Sequence, residues 1–269
     1  MSTATTPAPG SERAAAPQRS LGGFGELFIF FGLAIILFVL VQVVVVSALV
    51  YTVNQQNPHL TWSEISREVS ERTQFNAFFS VPVQTIYYAL LVLLLYALLR
   101  ARRLPFWSSL ALRRLSAAHL GAAVAIGALL ALLIQFASVI VPPPETLPIE
   151  RLFSSRAAAW LIIAASLLIA PLVEELIFRG YIYTLFEHRL GVAAAVLASG
   201  LLFGSIHFPQ LYPGYFQMLL LCVVGIVFSL TRAQTGTLLA SIVAHFAYNA
   251  TLNLLFLASP QFRELAFGF

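Results

Sequence analysis

The sequence predicts an all-α, polytopic membrane helix bundle of about seven transmembrane helices, with eight as the alternative. Hydrophobic residues make up 59% of the 269 residues and charged residues 10%, whereas a globular chain carries about 25% charged residues. The apolar residues form runs of about 20, which are long enough to cross roughly 30 Å of hydrocarbon as helices. Together these observations exclude a soluble domain.

The chain begins with a polar segment and continues into the first spans. Residues 1–22 are rich in Ala, Ser, Thr and Pro and predict a disordered cytoplasmic tail. The next apolar run is too long for the hydrophobic part of a signal peptide and predicts a spanning helix. Residues 23–149 are therefore N-terminal transmembrane helices, among which the polar segment 54–74 favours an amphipathic interfacial helix over a loop. The predicted spans lie at about 27–53, 75–99, 117–141, 157–187, 190–208, 214–231 and 237–258.

The arginines predict the orientation of the chain. With the N-terminus inside, most arginines between the spans fall on the cytoplasmic side, as the positive-inside bias requires. All basic residues are Arg and all acidic residues are Glu, a bias typical of a GC-rich bacterial genome. We expect an integral protein of the bacterial cytoplasmic (inner) membrane, in contact with membrane lipids and without a nucleic-acid partner. The predicted inner arginines are Arg13, Arg19, Arg100, Arg102, Arg103, Arg113, Arg114, Arg189 and Arg232.

Two adjacent glutamates and an arginine interrupt an otherwise uncharged apolar stretch. The run 157–173 contains no charged residue, and Glu174, Glu175 and Arg179 follow it. One such group near the bilayer centre costs about 2.5–3.5 kcal/mol on insertion scales. Glu175 and Arg179 are four residues apart, which favours an intrahelical ion pair with a structural role. Glu174 is turned about 100° away from that pair. We expect it to be a general base without a local partner, or a carboxylate neutralised by another helix.

Three further polar side chains in later spans are candidates to meet Glu174. His207 lies near the end of the fifth span, and His245 and Asn249 share one face of the seventh because they are four residues apart. If spans four and five form a hairpin that turns near 187–190, Glu174 and His207 lie at nearly the same depth. A carboxylate, two imidazoles and an amide form a hydrolytic set. The alternative is that each histidine is a packing residue.

Other hydrolytic mechanisms fit the sequence poorly. The chain contains no Asp, which excludes an aspartic protease, and no His-Glu-x-x-His zinc motif. Neither Ser199 nor Ser205 stands in a Gly-x-Ser-x-Gly setting, so a serine nucleophile has little support. The single cysteine, Cys222, lies in an apolar run and is interpreted as a packing residue.

Three motifs, in order on consecutive helices, resemble the CPBP family. This family includes the type II CAAX prenyl endopeptidases and bacterial proteins linked to bacteriocin processing and self-immunity. The resemblance implies a catalytic core at residues 150–258 with a C-terminal tail at 259–269, while the preceding residues contribute only hydrophobic spans. The motifs are Glu-Glu-x-x-x-Arg (Glu174, Glu175, Arg179), Phe-x-x-x-His (Phe203, His207) and His-x-x-x-Asn (His245, Asn249).

The resemblance also implies a role for each motif residue. Glu174 activates the attacking water together with His207, and His245 and Asn249 stabilise the tetrahedral oxyanion. Glu175 and Arg179 shape and charge-balance the site, and Phe203 supports it. The implied reaction is hydrolysis of a peptide bond in a membrane-associated peptide or protein, of CAAX type or bacteriocin-like.

Two alternatives remain at this level. Glu174, His207 and His245 form a set that could ligate zinc with an open fourth position. Asn249 suits an oxyanion site better than a zinc site, so we favour a metal-free glutamic mechanism without a cofactor. The alternative function is a non-catalytic membrane protein, such as an immunity factor, scaffold or maturation partner. Protonatable groups inside a membrane also fit a transporter.

Overall fold

The computed structural model describes residues 22–267 and confirms the all-α helix bundle. The described range contains helices and short connections, with no β-strand. The predicted disordered tail lies, except for Gly22, outside the described residues. The helices are α1 (Phe24–Gln56), α2 (Trp62–Phe75), α3 (Ala77–Ala101), α4 (Phe106–Ser109), α5 (Ala117–Ile140), α6 (Arg156–Leu168), α7 (Ala170–Glu175), α8 (Tyr183–Leu190), α9 (Val192–Ser205), α10 (Phe208–Leu211), α11 (Tyr215–Thr235), α12 (Leu238–Ala258) and α13 (Pro260–Phe267).

Six helical stretches in the described range are long and apolar enough to cross a membrane. They correspond to six of the seven predicted spans, and the fourth is a composite stretch, Arg156–Leu190, that runs from α6 to α8. The predicted fifth span is shorter than expected, because α9 has 14 residues and a length of about 21 Å. Pro209 stands near the start of the next short helix, α10, where its ring cannot continue the preceding helix.

The predicted interfacial helix is present as α2, but its apolar face is covered by protein. The helix begins with a capping box, in which the Thr61 backbone N–H donates to Glu64 and the Glu64 N–H donates to the Thr61 hydroxyl. Ile65 and Val69 are buried against Val53 of α1. Because that face packs on α1, α2 runs beside the first helix rather than lying alone on lipid.

Glycines allow close helix packing around the later helices. A Cβ on Gly200 would lie 2.6 Å from the side chain of Ile226, and one on Gly225 would lie 2.5 Å from the carbonyl oxygen of Gly200. The backbones of helices α9 and α11 are therefore in close contact, as small residues permit between helices inside membranes. Gly127 of α5 similarly faces the backbone of Ala244 in α12.

The segment that carries the charged motif is not a regular α-helix. After α7 ends at Glu175, residues Leu176–Ile182 form a π-helical segment that is buried throughout. Such segments often lie at functional sites. The Ser199 hydroxyl of α9 donates to the carbonyl oxygen of Phe178 at 2.9 Å. A side chain of a neighbouring helix thus supplies a hydrogen-bond donor to a backbone carbonyl of the π-helical segment.

Candidate active site

A cavity of about 440 Å³ brings the four predicted catalytic residues together. Glu174, His207, His245 and Asn249 all line it, although they come from three places in the fold: α7, the connection after α9, and α12. Their common location agrees with the similar depths expected for Glu174 and His207. The catalytic roles of these residues remain predictions. Much of the remaining wall comes from α3, α6, α11, α12 and the loop before α6.

Glu174 is buried at the wall of this cavity, with 6% of its surface exposed. The hydroxyl of Tyr88, on α3, donates to Glu174 Oε1 at 2.5 Å. Glu174 Oε2 lies 3.9 Å from His245 Nε2, which is beyond hydrogen-bond range but within the looseness common in substrate-free sites. The partner of Glu174 is therefore Tyr88, which lies on another helix in a distant part of the chain.

Glu175 holds both Arg179 and His245. Arg179 Nη1 donates to Glu175 Oε1 at 2.8 Å, and both side chains are fully buried, which confirms the predicted ion pair. His245 Nδ1 lies 3.0 Å from the same oxygen. Since a carboxylate accepts, Nδ1 carries the proton and Nε2 is directed towards Glu174. Glu175 thus orients an imidazole of the cavity as well as balancing the arginine.

Arg179 is fixed by contacts that extend well beyond its ion pair. Its Nη2 donates to the carbonyl oxygen of Gly225 at 2.6 Å, and its Nε donates to the Ser229 hydroxyl at 3.3 Å. The guanidinium carbon lies 4.5 Å from the centre of the Phe203 ring, a favourable cation–π arrangement. Arg179 therefore ties the π-helical segment to α9 and α11, and Phe203 supports the site as a buried platform.

One ring nitrogen of His207 is hydrogen-bonded to the backbone. Its Nδ1 donates to the carbonyl oxygen of Phe203 at 2.7 Å. In the neutral ring this leaves Nε2 as the acceptor. His207 also lies in the connection between α9 and α10, so the shortness of α9 is what places the imidazole at the cavity rather than inside a continuous span.

Asn249 is anchored to α6. Its Nδ2 donates to the carbonyl oxygen of Ser166 at 2.8 Å, and Asn253 Nδ2 donates to the Ser166 hydroxyl at 2.9 Å. An asparagine amide has two N–H groups, so one remains for a ligand in the cavity. Ser166 and Asn253 form a supporting pair that sequence reasoning missed.

The N-terminal half contributes polar residues to the cavity, contrary to the expectation that it supplies only hydrophobic spans. Ser80, Gln84 and Tyr88 of α3 all line it. These residues are spaced four positions apart, so they share one face of the helix. A polar stripe along an otherwise apolar helix was the signal in the sequence that could have identified these residues. The sequence does not show which part of the chain such a stripe faces, so its contact with Glu174 was not predictable.

The described side chains do not form a preassembled zinc site. Within residues 22–267, no group of three or more His, Cys, Asp or Glu side chains is arranged so that it could hold a metal ion. Glu174, His207 and His245 share a cavity, and the Nδ1 atoms of both histidines are bound to protein oxygens, which leaves each Nε2 free. The absence of a cofactor remains a prediction.

Comparison with known proteins agrees with this site. Residues 156–251 match the family model described as type II CAAX prenyl endopeptidase Rce1-like. No curated protein and no solved structure matches the chain significantly. The matched segment contains all seven motif residues, and the long apolar helices around it make the chain an integral membrane protein. The match therefore supports the assignment of residues 156–251 to the CPBP family of CAAX-type intramembrane endopeptidases.

Proposed function

We propose that this protein hydrolyses a peptide bond of a membrane-associated peptide or protein, with Glu174 as the general base. The observation that carries the proposal is the position of Glu174, a buried carboxylate that lines a large cavity and faces His245 Nε2 at 3.9 Å. A buried carboxylate stays ionised, and so remains able to accept a proton from water, only if hydrogen-bond donors compensate for its lost hydration. Tyr88 and His245 are such groups.

In the proposed reaction, Glu174 removes one proton from water while the water oxygen attacks the carbonyl carbon of the scissile bond. His207 Nε2 holds or shares this proton. The oxyanion of the tetrahedral intermediate accepts hydrogen bonds from His245 Nε2–H and from the second N–H of Asn249. The carbon–nitrogen bond then breaks, and the proton returns to the leaving amine. The products are a carboxylic acid and an amine.

The charges of the site support this division of roles. His245 donates through Nδ1 to Glu175 and, in the proposal, carries a second proton on Nε2. The two glutamates are then balanced by Arg179 and by the imidazolium of His245. Burial of a charge is tolerated when it is paired and hydrogen-bonded. Glu175 and Arg179 act by holding His245 and the π-helical segment in place, without touching the substrate.

The substrate proposal follows from the lining of the cavity. Apolar side chains of α6, α11 and α12, including Ile162, Leu221 and Leu252, form part of its wall beside the polar groups. This combination suits an apolar peptide segment with its scissile carbonyl near Glu174. A CAAX-type C-terminus and a bacteriocin-like leader both have this chemistry, and the purified protein can be assayed with either.

The decisive experiment is the Glu174→Gln variant, assayed with a fluorogenic farnesylated CAAX peptide and with its unprenylated counterpart. We expect loss of cleavage, because the amide cannot accept the water proton, with unchanged expression and thermal stability. The matched control is Glu187→Gln, since Glu187 is bonded to Tyr183 outside the cavity. Cleavage by the Glu174→Gln variant at the wild-type rate would refute the proposal.

The same assay separates the mechanism from its alternatives. A metal-free reaction retains its rate after treatment with a strong chelator, and purified protein contains no stoichiometric zinc.

Complementation of a deletion strain tests the non-catalytic alternative. In that alternative, Glu174→Gln restores the phenotype, whereas Arg179→Leu, which removes the buried ion pair, does not.

A further inference from the structure

A second, smaller cavity adjoins the proposed active site along α3. It has a volume of about 140 Å³, and its wall contains four polar side chains from α1, α2 and α3. Ser80 and Gln84 belong to both this cavity and the larger one. We call it the α1–α3 cavity. Its lining residues are Gln42, Thr73, Phe79, Ser80, Val83 and Gln84.

The polar groups of the α1–α3 cavity are unusual for their position. Gln42 stands near the middle of α1, flanked by Val, Leu and Ile residues, and an amide at such a position is costly unless it meets polar surroundings. Ser80 Oγ is buried and finds no hydrogen-bond partner among the described residues. A buried hydroxyl without a protein partner is the usual place for an ordered water.

The size of the α1–α3 cavity suits water better than a peptide. A water molecule has about 30 Å³ in the liquid, so a volume of about 140 Å³ has room for a few molecules. Each can meet the two to four polar partners that a buried water requires, from Gln42, Thr73, Ser80 and Gln84. A peptide residue with its backbone would leave most of these side chains without partners.

The polar face of α3 connects this cavity to Glu174. Ser80, Gln84 and Tyr88 follow each other at intervals of one helical turn, so the three together span about 12 Å along the helix. Tyr88 ends the series with its hydrogen bond to Glu174. Hydrolysis needs one water molecule at Glu174 for each bond cleaved, and this polar face leads from the α1–α3 cavity to that carboxylate.

We propose that the α1–α3 cavity is a water-binding site that supplies the hydrolytic water to Glu174 along the Ser80–Gln84–Tyr88 face of α3. This inference rests on the proposed hydrolase function, since each turnover consumes one water molecule. It also assigns a function to residues outside the segment that matches the family model.

Cysteine accessibility tests for water in this region without needing turnover. In a Cys222→Ala background, which removes the single native thiol, Gln42→Cys and Val43→Cys form a matched pair on α1. Gln42 lines the α1–α3 cavity and not the larger one, whereas Val43 is an exposed apolar residue of the same helix and is part of neither wall. We expect a small, water-soluble methanethiosulfonate to label Gln42→Cys and to leave Val43→Cys unlabelled. Equal labelling of the two, or no labelling of Gln42→Cys, would overturn the water site.

Kinetics test the delivery role with the farnesylated peptide as substrate. Ser80→Val and Gln42→Leu remove polar partners of the water, so we expect kcat to fall about fivefold or more in each, as for the loss of one ordinary hydrogen bond. For Gln42→Leu, KM stays within about twofold, because Gln42 does not line the larger cavity. The control Ser47→Val makes the same change at an exposed position of α1 and leaves kcat unchanged.

The outcomes separate this inference from the proposed function. Labelling of Gln42→Cys together with slow turnover by Ser80→Val supports water delivery. Wild-type turnover by both Ser80→Val and Gln42→Leu would overturn delivery even if the cavity is wet, while the hydrolase proposal would stand. Failure of the wild-type protein to cleave would refute the hydrolase and the delivery role together, and the labelling result would still decide whether the cavity holds water.

Discussion

At the scale of single residues, the site depends on shared hydrogen-bond partners. One oxygen of Glu175 serves both Arg179 and His245, and the backbone oxygen of Ser166 anchors Asn249. The Glu175–Arg179 pair was predictable because both residues lie on one helix four positions apart. The Tyr88–Glu174 bond was not, because it joins residues 86 positions apart and depends on how α3 packs against α7.

Tyr88 provides the residue-scale prediction. We expect Tyr88→Phe to lower kcat about tenfold with little change in KM, since the lost hydrogen bond to a carboxylate is worth about 1.5–3 kcal/mol and positions the base rather than the substrate. The adjacent Tyr87→Phe is the control, because the Tyr87 hydroxyl donates to the Ala34 backbone of α1 at 3.2 Å. It should affect thermal stability alone. Equal kcat values for the two variants would exclude the positioning role.

At the scale of helices, apolar runs predict the long elements but not their irregularities. The six long apolar helical stretches were predictable from the sequence, and so was the helical character of α2. The π-helical segment and the early end of α9 were not, because both depend on tertiary contacts such as Ser199 with the Phe178 carbonyl. Hydrophobicity alone does not distinguish a 14-residue helix followed by a turn from one continuous span.

Helix α5 allows a matched test of this packing. Gly127→Ala places a methyl group against the Ala244 backbone, next to His245, so we expect a loss of about 1–3 kcal/mol in stability and reduced cleavage. Gly121→Ala, on the same helix, meets no atom within 4 Å and should leave both unchanged or slightly raise stability. Thermal unfolding in detergent and the peptide assay give the comparison. Equal stability of the two variants would contradict the close α5–α12 approach.

At the scale of the whole molecule, several predicted inner segments meet at one end of the bundle. Arg189, near the turn after α8, donates to the carbonyl oxygen of Gly22. At the turn before α12, the Thr237 hydroxyl donates to the carbonyl oxygen of Arg113. These contacts place the start of α1, the arginine-rich connection between α3 and α5, and two later turns together. The direction in which this end faces remains a prediction from the arginines.

Reporter fusions test this orientation. With the arginine-rich end in the cytoplasm, α12 carries the chain to the opposite side of the membrane. We expect alkaline phosphatase fused after residue 269 to be active and green fluorescent protein at the same place to be dark. The same two reporters fused within the α3–α5 connection should give the reverse pattern. A fluorescent C-terminal fusion would contradict the predicted orientation.

The short helix α9 has a consequence for the surrounding lipid. Leu197 and Leu201 are exposed along it, so this side of the protein offers acyl chains about 21 Å of helix where the hydrocarbon is roughly 30 Å thick. The connection beyond it carries exposed Phe208, Tyr212 and Tyr215, residue types that settle at the level of the headgroups. A stretch this short is accommodated by local thinning of the bilayer, by side chains that reach towards the interface or by association with another helix, each at a modest cost per ångström of mismatch. The side of the protein that carries α9 is therefore the one most sensitive to the thickness of the surrounding membrane.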